Sequence, residues 1–283
     1  MKKASLILEG GATRGVFTSG ALDYLMEEDF YFPYVIGVSA GSCNAVDYVS
    51  KQIGRTKTCM IHKDKSDGYF DVKKAWRQKS LFDMDMIFDE YPNHTYPFDY
   101  DTYFASSMEC ELVVTNCLTG KAEYLKEDQN RERLMDICRA SSSMPLVSPI
   151  VKVDGIPYLD GGVADSIPII HSLRNGYKKN VIILTRNKGY RKKISNRTRA
   201  IYMTAFKKYP ELVKSILLRP HIYNRTLDHI EKWEEEGKVF VLRPEVKTVS
   251  RTETNYDILT DFYQHGFDTM KREFSNMIDF LNK

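Results

Sequence analysis

The chain has 283 residues, 42% of them hydrophobic and 28% charged, with a formal net charge of +3. This composition excludes a disordered or fibrous chain and suffices for one large core, or one core with a modest appendage, so a single catalytic domain is expected. The five cysteines (Cys43, Cys59, Cys110, Cys117 and Cys138) are odd in number and form no Cys-x-x-Cys pair, which argues against a disulfide framework or a zinc site and for reduced thiols in a cytoplasmic protein.

The apolar run Ala4 to Leu8 lacks polar alternation and reads as a strand buried on both faces; it is too short for a signal peptide or a membrane span. It ends at Gly10-Gly11-Ala12-Thr13-Arg14-Gly15, after which Val16, Phe17, Ala21, Leu22 and Leu25 recur at helical spacing. A glycine turn at a helix N-terminus exposes backbone amides, and three readings compete: a dinucleotide fingerprint, an oxyanion hole, or a structural tight turn. The first fits poorly, because Ala12 replaces the middle glycine and no acidic residue ends the second strand. Tyr34-Val35-Ile36 begins that strand, which runs into Gly37-Val38-Ser39-Ala40-Gly41 and a helical stretch from Ala40 to Gln52. Strand, sharp turn and helix are the context in which a serine hydroxyl stands exposed as a nucleophile, with small neighbours letting the backbone pass closely.

Residues 55–105 lack clear periodicity, and their prolines argue against a long helix; the aromatics from Phe88 to Tyr100 suit an acyl channel, a lid, or a loop pinned to the core. No basic residues interleave with these rings, so nucleic acid is not expected as a partner. A strand over Glu111–Asn116 pairs with Lys121–Leu125, and Arg131–Arg139 reads helical, ending in Ser141-Ser142-Ser143. With no strand or glycine pair before them, these serines read as helix terminus and packing. Val151 to Leu159 forms a hairpin turning at Asp154-Gly155 and delivers Asp160-Gly161-Gly162.

Taken together, Gly10-Gly11-Ala12-Thr13-Arg14-Gly15, Gly37-Val38-Ser39-Ala40-Gly41 and Asp160-Gly161-Gly162 resemble, in order, the motifs of the patatin-like phospholipase family. The resemblance covers residues 5–175 and departs at Ala12, where the family has a third glycine. It implies a three-layer α/β/α fold with a mainly parallel central sheet, and hydrolysis of carboxylic esters of lipids by a Ser39–Asp160 dyad. Asp160 would serve as base without histidine, and the amides of Gly11 and Ala12 as oxyanion donors. Gly10, Arg14, Gly15, Gly37, Gly41, Gly161 and Gly162 would support these turns, with Arg14 steadying its turn or attracting a phosphate. No metal or cofactor is implied.

A Ser-His-Asp triad using His171 or His265 is formally permitted by chain order. Two other readings are an esterase or thioesterase for soluble substrates and a non-catalytic lipid-binding protein of the same fold. Beyond the matched core, residues 176–283 form a C-terminal extension. From Ser166 to Pro210 no Asp or Glu occurs, while twelve Lys and Arg do, which suits a solvated face, peripheral contact with an anionic membrane or, least of the three, nucleic acid. The extension then reads as helices over Leu212–Leu218 and Leu227–Glu236, a strand over Lys238–Pro244, and an amphipathic helix from Tyr256 to Leu281 packed on the sheet.

Overall fold

A computed structural model of the chain describes residues 3–63 and 82–283. Part of the 55–105 stretch therefore lies outside the described residues. Among the described residues, eight strands form one sheet: β1 (Ala4–Leu8), β2 (Tyr34–Val38), β3 (Glu109–Asn116), β4 (Ala122–Leu125), β5 (Val151–Val153), β6 (Ile156–Asp160), β7 (Lys179–Ile183) and β8 (Val239–Leu242). Hydrogen-bonded neighbours connect along the path β5-β6-β3-β2-β1-β7-β8, with β4 also on β3; β2 and β6 pair with successive parts of one edge of β3 and β4 with the other. β3, β2, β1, β7 and β8 run parallel, and β4 and β6 pair antiparallel with β3.

Successive strand residues point to opposite faces, and the unbroken apolar runs fill both. Leu6, Leu8, Val35, Leu112, Val114, Val181 and Ile183 enter one core. Ile7, Ile36, Val38, Val113 and Ile182 enter the other. The first core is covered by α1 (Gly15–Glu27), α2 (Ala40–Val49), α5 (Arg131–Ser142) and α9 (Tyr256–Asn282), the second by α6 (Ile169–Arg174) and α8 (Pro210–Glu235). The fold is thus the three-layer α/β/α arrangement with a mainly parallel sheet.

The two helical stretches expected over 212–236 are one helix. Pro220 removes a rung of α8, but Leu212, Ile216, Tyr223, Leu227 and Ile230 are buried at helical spacing on both sides of it and hold the helix together. Short helices α3 (Arg55–Met60) and α4 (Tyr100–Phe104) and a π-helical segment, Met86–Thr95, lie in the 55–105 stretch, and α7 (Asn196–Ala205) lies in the basic stretch. The last helix, α9, packs chiefly on α1, where Gly20 and Gly266 let the two backbones touch: a Cβ on Gly20 would lie 2.1 Å from the Tyr263 carbonyl oxygen, and one on Gly266 2.0 Å from that of Phe17.

Candidate active site

Parallel strands leave their C-terminal ends open for a site. β1 leads into Gly10–Gly15, and β2 into Ser39, the residue before α2. Ser39 has φ 57° and ψ −125°, a left-handed backbone that a non-glycine residue adopts only when its surroundings enforce it. Here the surroundings are close backbone contacts. A Cβ on Gly37 would sit 2.4 Å from the Gly41 carbonyl oxygen, and one on Gly41 2.3 Å from that of Leu8. The Ser39 N–H donates to Ser141 Oγ (3.0 Å), which in turn donates to the Val113 carbonyl (2.6 Å) and contacts Ser42 Oγ at 2.8 Å. Ser141, read from the sequence as helix terminus, thus ties the turn to β3. Three adjacent serines carried no signal as to which would do so.

The glycine turn is held from β7 and α8. Glu9 accepts hydrogen bonds from the Thr185 N–H (2.8 Å) and the Tyr223 hydroxyl (2.7 Å), and the Thr185 hydroxyl donates to the Gly10 carbonyl (2.8 Å). Gly10 passes against Ser39 and Gly15 against Ala40; a Cβ on either would come within 3 Å of those side chains. Ala12, the departure from the family motif, takes φ 52°, so its methyl group does not prevent the left-handed conformation a glycine would adopt.

Asp160 reaches the serine through strand register. β2 and β4 both pair with Leu112 and Val113, and β4 and β6 both pair with Val114 and Thr115; β6 therefore lies on the same edge of β3 as β2. Val38 faces Val113 and Asp160 faces Val114, so Asp160 takes up the edge where β2 turns away. Its N–H donates to the Ser143 carbonyl (2.8 Å), and its carboxylate accepts the Gly162 N–H (2.7 Å) at the start of the Gly161–Val163 turn. Gly161 packs on the Val113 carbonyl. Burial raises the Asp160 pKa, opposed by the positive charge of Arg219, the Ser39 hydroxyl, the Gly162 N–H and Lys192.

Two cavities meet at Ser39. One, of about 120 Å³, is apolar and runs beneath α2 and α5, lined by Val46, Met60, Phe82, Phe88, Tyr91 and Met135 among others. The other, of about 30 Å³, is polar: Gly10, Gly11, Ala12, Asp160 and Gly162 line it together with Arg14, Arg186, Lys192, Arg219 and Arg251. Ser39, Ala12 and Met144 belong to both. Burial, then Arg186 and Arg251, bring the Arg14 pKa down to about 10. Lys192 is held well below the usual lysine range by burial and then Arg219. Sequence reading missed Arg219 and Arg251, since only the folded chain brings α8 and the loop before α9 to the glycine turn.

No histidine lines either cavity among the described residues. His171 Nε2 lies 2.7 Å from Glu111 and its ring stacks on Tyr124, while His265 packs on Phe17 and accepts the Glu245 N–H at 3.0 Å. All five cysteines are free thiols. Among the described residues, no three His, Cys, Asp or Glu side chains are grouped as a metal site would require.

A serine thus stands on a strained turn at the end of a parallel strand, with a buried carboxylate on the wall of the same polar cavity, and comparison with known proteins adds the family. The chain matches the patatin-like phospholipase family over residues 6–108 and 118–173 and belongs to that family. Residues 209–282 match a domain of unknown function, DUF6363. The chain is 30% identical over 187 residues to the uncharacterized protein YjjU of Escherichia coli (strain K12), covering 65% of this chain and 52% of that protein; it thus spans about half the length of this curated relative. The crystal structure of VipD from Legionella pneumophila shares the fold, with a TM-score of 0.55 at 14% identity over 98% of this chain and 67% of VipD.

Proposed function

We propose that the protein is a serine acyl hydrolase that cleaves carboxylic esters of lipids with a Ser39–Asp160 dyad. One observation carries the reading: Ser39 stands on a strained turn at the junction of an apolar cavity and a polar one that holds Asp160. Asp160 takes the Ser39 proton as the oxygen attacks the ester carbonyl, and returns it to the departing alcohol. The amides of Gly11 and Ala12, on the wall of the polar cavity, stabilise the oxyanion. Water, deprotonated by the same aspartate, then releases the acid. The raised pKa of Asp160 makes it a stronger base than an exposed aspartate.

Residues 5–175 supply the nucleophile, base and oxyanion donors in this reading, and 176–283 add Arg186, Lys192, Arg219 and Arg251 to the site. The basic stretch over 166–210 is partly turned inward. Lys192 lies over the Tyr223 ring at 3.4 Å, and Arg191 is paired with Asp228 (2.6 Å) and Glu231 (2.8 Å). Its remaining exposed bases are available for peripheral contact with an anionic membrane. Among the described residues no helix is long and apolar enough to cross a membrane.

The test compares turnover of a long-chain diacyl lipid in mixed micelles with that of p-nitrophenyl butyrate. Lipid turnover that depends on Ser39 and Asp160 is expected. Hydrolysis confined to the short soluble ester would replace the lipid reading with a general esterase.

A further inference from the structure

Ester cleavage splits the substrate into an acyl part and an alcohol part, and the two cavities at Ser39 differ in which of them they suit. The apolar cavity accepts a hydrocarbon chain. Asp160 lines only the polar cavity. Because the base must hand its proton to the leaving oxygen, the alcohol departs on that side.

That side carries five cations, Arg14, Arg186, Lys192, Arg219 and Arg251, against two carboxylates, Glu9 and Asp160. Glu9 is already engaged by Thr185 and Tyr223. Arg14 is 5% exposed, and the Nε atoms of Arg14 and Arg219 are buried with no hydrogen-bond partner among the described residues. Burying a guanidinium donor without an acceptor is costly, so a cavity built around two of them is arranged for an anion. Burial is the main cause of the lowered pKa values of Arg14 and Lys192, and repulsion from neighbouring cations adds to it, Arg186 and Arg251 acting on Arg14 and Arg219 on Lys192. Gly162 keeps the space open: a Cβ there would lie 3.1 Å from Arg219 Nη2 and 3.0 Å from Asp160 Oδ1.

We propose that the polar cavity is the subsite for the leaving alcohol and that this alcohol carries a terminal phosphate, the substrate being a fatty acyl ester of a polyol phosphate monoester. This rests on the acyl-hydrolase reading above and specifies its substrate class. A phosphate monoester carries nearly two negative charges near neutral pH, whereas a zwitterionic headgroup would bring a further cation into a cavity already rich in them. Guanidinium groups form paired, charge-assisted hydrogen bonds with phosphate oxygens. Four of the five cations come from the region C-terminal to β7 and outside the patatin match, Arg186 and Lys192 on the loop after β7, Arg219 on α8 and Arg251 before α9, so this part of the chain sets headgroup choice.

The experiment has two arms. In the first, wild type, Arg219→Gln and Arg251→Gln hydrolyse phosphatidic acid, phosphatidylcholine and diacylglycerol of identical acyl composition in mixed micelles, and the ratio of kcat/KM for phosphatidic acid to that for diacylglycerol is read within each protein. A ratio of about ten or more in wild type, falling about tenfold in each variant, is expected. In the second arm, calorimetry measures binding of glycerol 3-phosphate and of inorganic phosphate to Ser39→Ala, alone and combined with Arg219→Gln. Glycerol 3-phosphate should bind the single variant and not the double one. If no ester is cleaved yet this binding pattern holds, the hydrolase reading fails and the phosphate subsite stands. Equal rates on all three lipids, or binding unaffected by Arg219→Gln, would overturn the proposal. So would tight binding of inorganic phosphate without any preference for phosphatidic acid, since the cluster would then be a free-phosphate site.

Discussion

Ser39 and Asp160 meet because β6 takes over the edge of β3 where β2 leaves it: Val38 pairs with Val113, and Asp160 pairs with the next residue, Val114. The two groups are thus fixed by backbone register, and their relative position does not depend on a flexible loop. Replacing Ser39 with Ala should lower lipid-ester turnover by several orders of magnitude with the fold intact, since only oxyanion stabilisation and binding remain. Asp160→Asn should be comparably damaging, because an amide cannot take the proton. His171→Ala should leave turnover little changed, since His171 is bound to Glu111 and lines neither cavity. Steady-state kinetics with circular dichroism as a fold check decides among these. A dead His171 variant beside an active Asp160 variant would reassign the base.

The acid limb of the pH profile should follow Asp160. Activity requires its ionised form, and burial holds its pKa above the ordinary aspartate value near 3.9, so kcat/KM should fall with decreasing pH from a point above the usual carboxylate range. Arg219 opposes that rise. Removing its charge with Arg219→Gln should therefore move the limb to still higher pH on a neutral soluble ester. A limb unmoved by the substitution would show that another group governs it.

A second buried carboxylate should govern stability. Asp23 accepts hydrogen bonds from the Gly54 N–H (3.0 Å) and the Tyr263 hydroxyl (2.7 Å), and burial raises its pKa to about 6. Between about pH 4 and 6 the folded state binds this proton more tightly than the unfolded chain. The stabilising contribution is fully present below the unfolded value and is lost as pH rises through the folded one. Asp23→Asn does not titrate; its carbonyl oxygen can still accept the Gly54 N–H, while its amide can donate to the Tyr263 phenolic oxygen, reversing that bond. Its stability relative to wild type should grow by on the order of 2–3 kcal/mol from pH 4 to pH 7. Denaturant melts at several pH values measure this, and parallel curves would show that Asp23 does not titrate in that range.

The α1–α9 crossing has no room for a side chain at its closest point. Gly20→Ala or Gly266→Ala would drive a methyl group into a backbone carbonyl, at 2.1 or 2.0 Å. Each should destabilise the protein by about 3 kcal/mol or more, at the upper end of overpacking effects. Thermal melts showing wild-type stability in either variant would mean that the helices can separate freely.

These glycines also mark what the sequence conceals. In a helical pattern a glycine reads as a weak helix former, and only the partner helix reveals its use as a contact point. The strands were legible because their apolar runs serve two cores at once. The Ser39 turn was legible because strand, elbow and helix are contiguous. Asp160 stood out only through its resemblance to a family motif, since the register that carries it to Ser39 is non-local. The five cations at the polar cavity come from four separate segments between Arg14 and Arg251, and charge counting found only the stretch containing Arg186 and Lys192. A proline in α8 hid one helix as two, because local propensity does not register the buried stripe that spans it.

The most direct test of the central claim is covalent labelling with a fluorophosphonate, followed by peptide mapping of the modified residue. The account predicts modification of Ser39, abolished in Ser39→Ala and strongly slowed in Asp160→Asn, whose side chain cannot activate the hydroxyl. Labelling at another serine, or labelling of Ser39 at an undiminished rate in Asp160→Asn, would contradict it.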